Sequence, residues 1–153
     1  INKAQQTIEL TPRERGAYLL LGACYEQIKR SYDALEIYKK ALNIFPNEGA
    51  IYLGLARAYF ALKNYEEAIK KAKKAIELDY KESNVHFFLG FCYEKTKQYK
   101  KAIHELKKAE KINPEEALIN FSLSSCYKNI GQIERANKEF KKGFLNSREA
   151  IKQ

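Results

Sequence analysis

The chain has 153 residues, a net charge of +9 and 31% charged residues, a length at which one array can bury roughly 70% of the surface its unfolded form exposes. No apolar run approaches the ~20 residues needed to cross a bilayer. The leading stretch Ile1–Leu10 mixes Asn, Lys and Gln into its apolar pattern, which excludes the continuous apolar core of a secretory signal.

The first element, Ile1–Leu10, reads as an amphipathic helix. Its Ile8, Leu10 and Pro12 are spaced like Leu42, Ile44 and Pro46 further along. Residues 1–14 are therefore expected to be the second helix of a truncated repeat, in a fragment cut from a longer array. Residues 15–48 then carry Tyr18, Leu21, Gly22 and Tyr25 on one helical stripe, followed by Ala34, Tyr38, Ala41 and a stop at Pro46. Residues 49–82 repeat the pattern as Tyr52, Leu55, Ala56, Tyr59, Ala68, Ala72 and Ala75, with a second helix over Tyr65–Leu78 and Tyr80 in the proline's place. Residues 83–116 give His86, Leu89, Gly90, Tyr93, Ala102, Leu106, Ala109 and Pro114. Residues 117–150 give Leu123, Ser124, Tyr127, Ala136 and Phe140, with Gly143 and Arg148 where Ala and Pro are expected.

The step from Gly22 to Ala56, Gly90 and Ser124 is 34 residues each time, and the alanines at 34, 68, 102 and 136 keep it. A fixed period of this length means a stack of one helix-pair element, in which a small residue lets two helix backbones approach. Near the far end Asn137 and Asn146 replace apolar residues and Gly143 loosens a contact. The array is thus expected to end near Asn146, with Ser147–Gln153 at most a short capping helix. Phe140 and Phe144 leave apolar surface there, which predicts a monomer or weak end-to-end self-association.

These residues resemble the tetratricopeptide repeat family, whose signature is Trp-x2-Leu-Gly-x2-Tyr, then Ala-x3-Phe, then Pro. Tyrosine stands in the tryptophan slot at Tyr18 and Tyr52, and His86 does in the third repeat. The resemblance covers nearly the whole chain. It implies an all-α, right-handed superhelical solenoid of antiparallel helix pairs, four repeats plus a leading half, acting as a non-enzymatic scaffold for protein partners.

The residues offer little chemistry. His86 reads as a packed core histidine, and His104 lies among Lys100, Lys101 and Lys107, neither with a nucleophile at useful spacing. No phosphate loop or metal-ligand spacing occurs, so no cofactor and no metal are expected. Cys24, Cys92 and Cys126 share one repeat position. Stacked repeats lie ~10 Å apart, beyond the ~7 Å Cα limit of a disulfide, so these cysteines read as small apolar residues at helix contacts. Unpaired thiols point to a reducing, cytoplasmic setting.

Two surfaces compete for function. Lysine pairs recur on each second helix: Lys39–Lys40, Lys73–Lys74, Lys107–Lys108 and Lys141–Lys142. This ladder could attract nucleic acid or an anionic membrane, although no aromatics interleave with it for base stacking. The first helices line the expected concave side, and there Leu19, Leu53, Arg57, Phe60, Phe87, Phe88, Phe91, Glu94 and Phe121 are candidate groove residues. Even half-exposed, Phe87, Phe91, Phe121, Phe60 and Leu53 together would exceed the ~300–600 Å² apolar patch usual on a monomer. They fit an apolar peptide or amphipathic helix; the alternative for Phe87, Phe88 and Phe91 is packing between adjacent first helices. The family's carboxylate clamp for the EEVD tails of chaperones has no match at Leu19, Ala23, Gly54, Asn84 and Phe88. Nor has it one a repeat later, at Leu53/Arg57, Phe88 and Leu118/Ser122, so such a tail is not an expected partner.

Overall fold

In the computed structural model every regular element is a helix among the described residues, 1–78 and 83–151, whose side chains are described except at 83, 150 and 151. The helices run α1 (Asn2–Leu10), α2 (Arg15–Gln27), α3 (Ser31–Ile44), α4 (Gly49–Ala61), α5 (Tyr65–Glu77), α6 (Ser83–Lys95), α7 (Tyr99–Ile112), α8 (Ala117–Asn129) and α9 (Ile133–Ile151). They form two compact bodies, Ile1–Tyr80 and Lys81–Gln153. Tyr80, in the signature proline slot of the second repeat, lies outside the described residues. No helix among those described is long and apolar enough to cross a membrane.

Each helix pair turns through the same hydrogen-bonded corner. The Arg30 amide donates to the Tyr25 carbonyl and the Lys29 amide to that of Glu26; the corners at Lys63, Lys97 and Gly131 repeat both bonds. This arrangement caps the orphan carbonyls of the first helix and needs one residue in the left-handed region. Lys29 (φ 59°), Lys63 (φ 61°) and Lys97 (φ 59°) hold that conformation, where the fourth corner uses Gly131.

The core depends on a size match inside each repeat. Tyr38 is 1% exposed, and its ring lies between the first helices of two successive repeats. A Cβ on Gly54 would lie 2.5 Å from Tyr38 Cζ, and one on Gly22 would overlap the same ring. In the third repeat a Cβ on Gly90 would lie 2.7 Å from Leu106 Cγ. The second repeat has Ala56 where these have glycine, and its partner residue is Ala72; both are fully buried. In the fourth, the Ser124 hydroxyl donates to the Ala136 carbonyl. Its partner Phe140 stays 58% exposed and leans on Phe121 at 5.6 Å.

The C-terminal body replaces two signature aromatics by polar pairs. His86 is buried, as a core histidine should be, but its Nδ1 lies 2.8 Å from Glu105 Oε2. Asn120 occupies the same slot one repeat later with no exposure, and its amide donates to Glu139 and Glu110. Lys107 bridges Glu139 and Glu110, and Lys142 also pairs with Glu110. Burial raises the Glu105 and Glu110 carboxyls, but Glu105's bonds to His86 and Lys108, and Glu110's to Lys142 and Lys107, outweigh it. Both end below the ordinary carboxylate range.

Three expectations about the far end need correction. Asn146 does not mark a bare polar end of the array: its amide donates to the Asn120 side chain and to the Pro114 carbonyl. Gly143 does not loosen the contact but closes it, since a Cβ there would lie 2.9 Å from the Phe121 ring. Nor does a separate capping helix follow Asn146. With Arg148 in the proline's place nothing interrupts the backbone ladder, and α9 runs on for 19 residues to Ile151. Residues 152–153 lie outside those described.

Three outcomes test this packing. Gly54→Ala gains ~1 kcal/mol of helix propensity but forces a methyl into the Tyr38 ring. It should lose about 1–3 kcal/mol net by urea denaturation, and lose much less in a Tyr38→Ala background. Lys63→Gly removes a left-handed penalty of about 1–2 kcal/mol against a glycine entropy cost of ~0.5–1 kcal/mol, so a small net stabilisation should appear in the same assay. Because folded Glu105 and Glu110 titrate below their unfolded values, their contribution is complete above about pH 4.3 and is lost as pH falls through the folded values. Thermal melts between pH 5 and pH 3 should therefore fall more steeply for the native chain than for a Glu105→Gln/Glu110→Gln variant.

Candidate functional site

In the N-terminal body the first helices α2 and α4 are linked by a charged cluster. Arg57 Nε donates to Glu26 Oε2 at 2.8 Å, and the Tyr38 hydroxyl donates to Glu26 Oε1 at 2.7 Å. Burial and then the Glu26 charge push the Tyr38 phenol well up, so it stays a neutral donor. Burial opposes the Arg57 charge, but Glu26 more than offsets this and raises the guanidinium. Arg57 is thus an exposed-edge cation already held by a carboxylate. Its side chain remains 41% exposed.

Leu53 is not a groove wall. It is 3% exposed, because α4 packs against α2, α3 and α5 and buries most of its circumference. Leu19 is half-buried against the core cluster, and Phe60 sits 5.2 Å from Tyr65 in an edge-on contact. Away from the first helices this body exposes Leu10 and Tyr32, at 75% and 73%. Leu20, at 59% exposure, is its main outward residue on α2.

The C-terminal body is different. On α6, Phe87 and Phe91 stand one turn apart with rings nearly parallel (12°) and centroids 6.3 Å apart. Both are half-buried, as is Phe88. Lys95, one further turn along, sets its ammonium 4.8 Å from the Phe91 centroid. Glu94 accepts a hydrogen bond from the Ser125 hydroxyl at 2.6 Å, which fixes α8 beside α6 in the register that Glu26 and Arg57 use in the other body. On α8, Leu118 is 58% exposed. Phe121 points elsewhere: its ring is engaged by Phe140 and by the bare backbone at Gly143.

The lysine ladder on the second helices is largely committed to internal pairing. Lys39 pairs with Glu36, Lys74 with Glu77, Lys108 with Glu105, and Lys107 and Lys142 with the Glu110–Glu139 group. Lys40, Lys73 and Lys141 are exposed. The cysteines are free thiols, and burial pushes those of Cys92 and Cys126 up to about 12, so they are inert at neutral pH. His104 is exposed, 3.9 Å from Glu105. No group of three metal-ligating side chains occurs among the described residues. What the arrangement offers is contact surface: a rigid aromatic pair with polar groups at one end.

Sequence reasoning missed four polar pairings. Glu26 and Arg57 are 31 positions apart, as are Glu94 and Ser125, and that shared spacing was the available signal. The pairs His86–Glu105 and Asn120–Glu139 likewise share a spacing of 19.

The tetratricopeptide repeat family profile matches residues 13–81 and 47–115. Among solved structures, the chain is similar to two crystal structures of MamA. One is 25% identical with a TM-score of 0.87, over 98% of this chain and 88% of that one. The other is 26% identical with a TM-score of 0.82, over 97% and 81%. It is also similar to YrrB, described as a TPR protein with an unusual peptide-binding site, at 22% identity and a TM-score of 0.82, over 94% and 74%. No curated protein sequence matches the chain. The repeat spacing, the helix pairs and the family match agree: the chain belongs to the tetratricopeptide repeat family, a family of protein-interaction scaffolds.

Proposed function

We propose that the chain is a non-enzymatic scaffold that binds an apolar peptide or amphipathic helix on the first-helix face of its C-terminal body. The observation that carries this reading is the near-parallel, half-buried Phe87–Phe91 pair on α6, with Leu118 exposed on the neighbouring α8. Half-exposed aromatic rings held rigid by a packed helix lose little entropy when a partner covers them, which is how binding hot spots are built. The peptide-binding site named for the similar YrrB structure supports the same kind of partner. An EEVD tail is not that partner, because the clamp positions carry Leu19, Ala23, Gly54, Asn84 and Phe88. A cytoplasmic setting belongs to this reading, as the three cysteines are free thiols. So does a monomer that associates weakly end to end through Phe140 and Phe144, 58% and 53% exposed.

The competing reading, docking of nucleic acid or an anionic membrane on the second-helix lysines, is weakened by the carboxylates that hold Lys39, Lys74, Lys107, Lys108 and Lys142. Calorimetry with a captured partner separates the two. Phe87→Ala should cost ~1–2 kcal/mol of affinity with helicity unchanged by circular dichroism, and binding should survive moderate salt. Steep loss of binding with salt, unaffected by Phe87→Ala, would instead assign the partner to the lysines.

A further inference from the structure

The C-terminal body separates its charges by location. Its buried and half-buried carboxylates, apart from Glu116 at the start of α8, are consumed internally: Glu105 by His86 and Lys108, Glu110 and Glu139 by Lys107, Lys142 and Asn120, and Glu94 by Ser125. At the edge formed by the α6–α7 and α8–α9 corners the balance is the reverse. Lys95, Lys97, Lys100, Lys101, Lys128 and Arg135 are all exposed there, against the exposed carboxylate of Glu134. None of the six lies within ion-pair distance of a carboxylate among the described residues. Lys101 and Arg135 instead donate to the neutral amides of Gln98 and Gln132, and Lys101, Arg135 and Lys95 sit over the rings of Tyr93, Tyr127 and Phe91.

This edge continues the aromatic face. Phe87, Phe91 and Lys95 follow one another by single turns along α6, and Lys128 lies at the matching end of α8. An apolar segment lying over Phe87 and Phe91 therefore runs at one end into uncompensated positive charge. Cations held only by an amide or a ring give up little on meeting a ligand, so an incoming carboxylate keeps most of its screened attraction. We infer that the partner is a polypeptide segment with apolar anchors followed by an acidic block, the anchors on Phe87 and Phe91 and the acidic block on the corner lysines. This rests on the proposed aromatic site and adds the charge of its ligand. The lysines involved differ from those of the second-helix ladder.

The test uses the whole chain and two synthetic peptides, each with Leu and Phe anchors at helical spacing, one ending in a block of glutamates and the other in glutamines. By fluorescence anisotropy at low salt the glutamate peptide should bind ~5-fold more tightly, the amount expected of two exposed charge pairs. The advantage should vanish near 1 M salt, where the screening length is about 3 Å. Lys95→Gln/Lys128→Gln should abolish the preference, so that the two peptides bind alike. Equal binding of both peptides by the native chain, or a preference that survives the double substitution, overturns the acidic block. Phe87→Ala separates the two claims: it should weaken both peptides equally. If it weakens neither, or if neither peptide binds, the aromatic site itself fails and the inference with it. Tighter binding of a single-stranded oligonucleotide or of phosphatidylserine vesicles to the same lysines overturns the inference in favour of that ligand.

Discussion

Everything else in this molecule depends on how closely two helix backbones can approach around one side chain. In the first repeat a whole tyrosine ring fits between helices only because Gly22 and Gly54 have no side chains. The second repeat reaches the same closure with Ala56 and Ala72, and the third with Gly90 and Leu106. The total volume at the contact matters more than either residue alone, as close packing requires. Where the match fails, at Ser124 and Phe140, the large residue is displaced outward and becomes surface. Binding surface and core are thus set by the same local choice of size.

The family signature makes the helix pairs and their small contacts plain in the sequence, because packing at a fixed period leaves a fixed-period trace. The direction of individual side chains was harder to read. Leu53 shares its repeat position with Phe87, yet it is buried because α4 is enclosed by three neighbours. Phe121 shares it too, and is drawn to the bare backbone of Gly143. One stripe along a helix therefore meets different surroundings in different repeats, and those surroundings depend on residues far away in sequence. The polar slots were obscured for a similar reason. Glu105 and Glu139 fall where helical periodicity suggests a solvated face, and only the residues opposite them, His86 and Asn120, show why they are there.

The lysines show why charge totals say little about partners. The same composition that gives +9 overall is divided between lysines that serve as counterions for buried carboxylates and lysines with no such duty. Two lysines on the same turn, Lys107 and Lys108, each answer a different buried acid. A cation committed to a carboxylate must break that bond before it meets a ligand, whereas one resting on an amide or a ring gives up far less.

Arrays of near-identical segments carry a hazard of misalignment, since any helix hairpin could settle against the wrong neighbour. The polar group around Asn120 acts as a key against that error. Asn120 and Glu139 of α8 and α9 need Glu110 and Lys107 of α7, and Asn146 needs the carbonyl of Pro114. No equivalent acid is offered by α3, where Lys39 matches Lys107 but Leu42 stands in the place of Glu110. If the last hairpin shifted onto the first repeat, Asn120 and Lys142 would lose the Glu110 carboxylate, a penalty of about 1–3 kcal/mol. The last hairpin thus recognises its proper neighbour by polarity as well as shape, and the chain can duplicate its apolar repeats freely only upstream of that key.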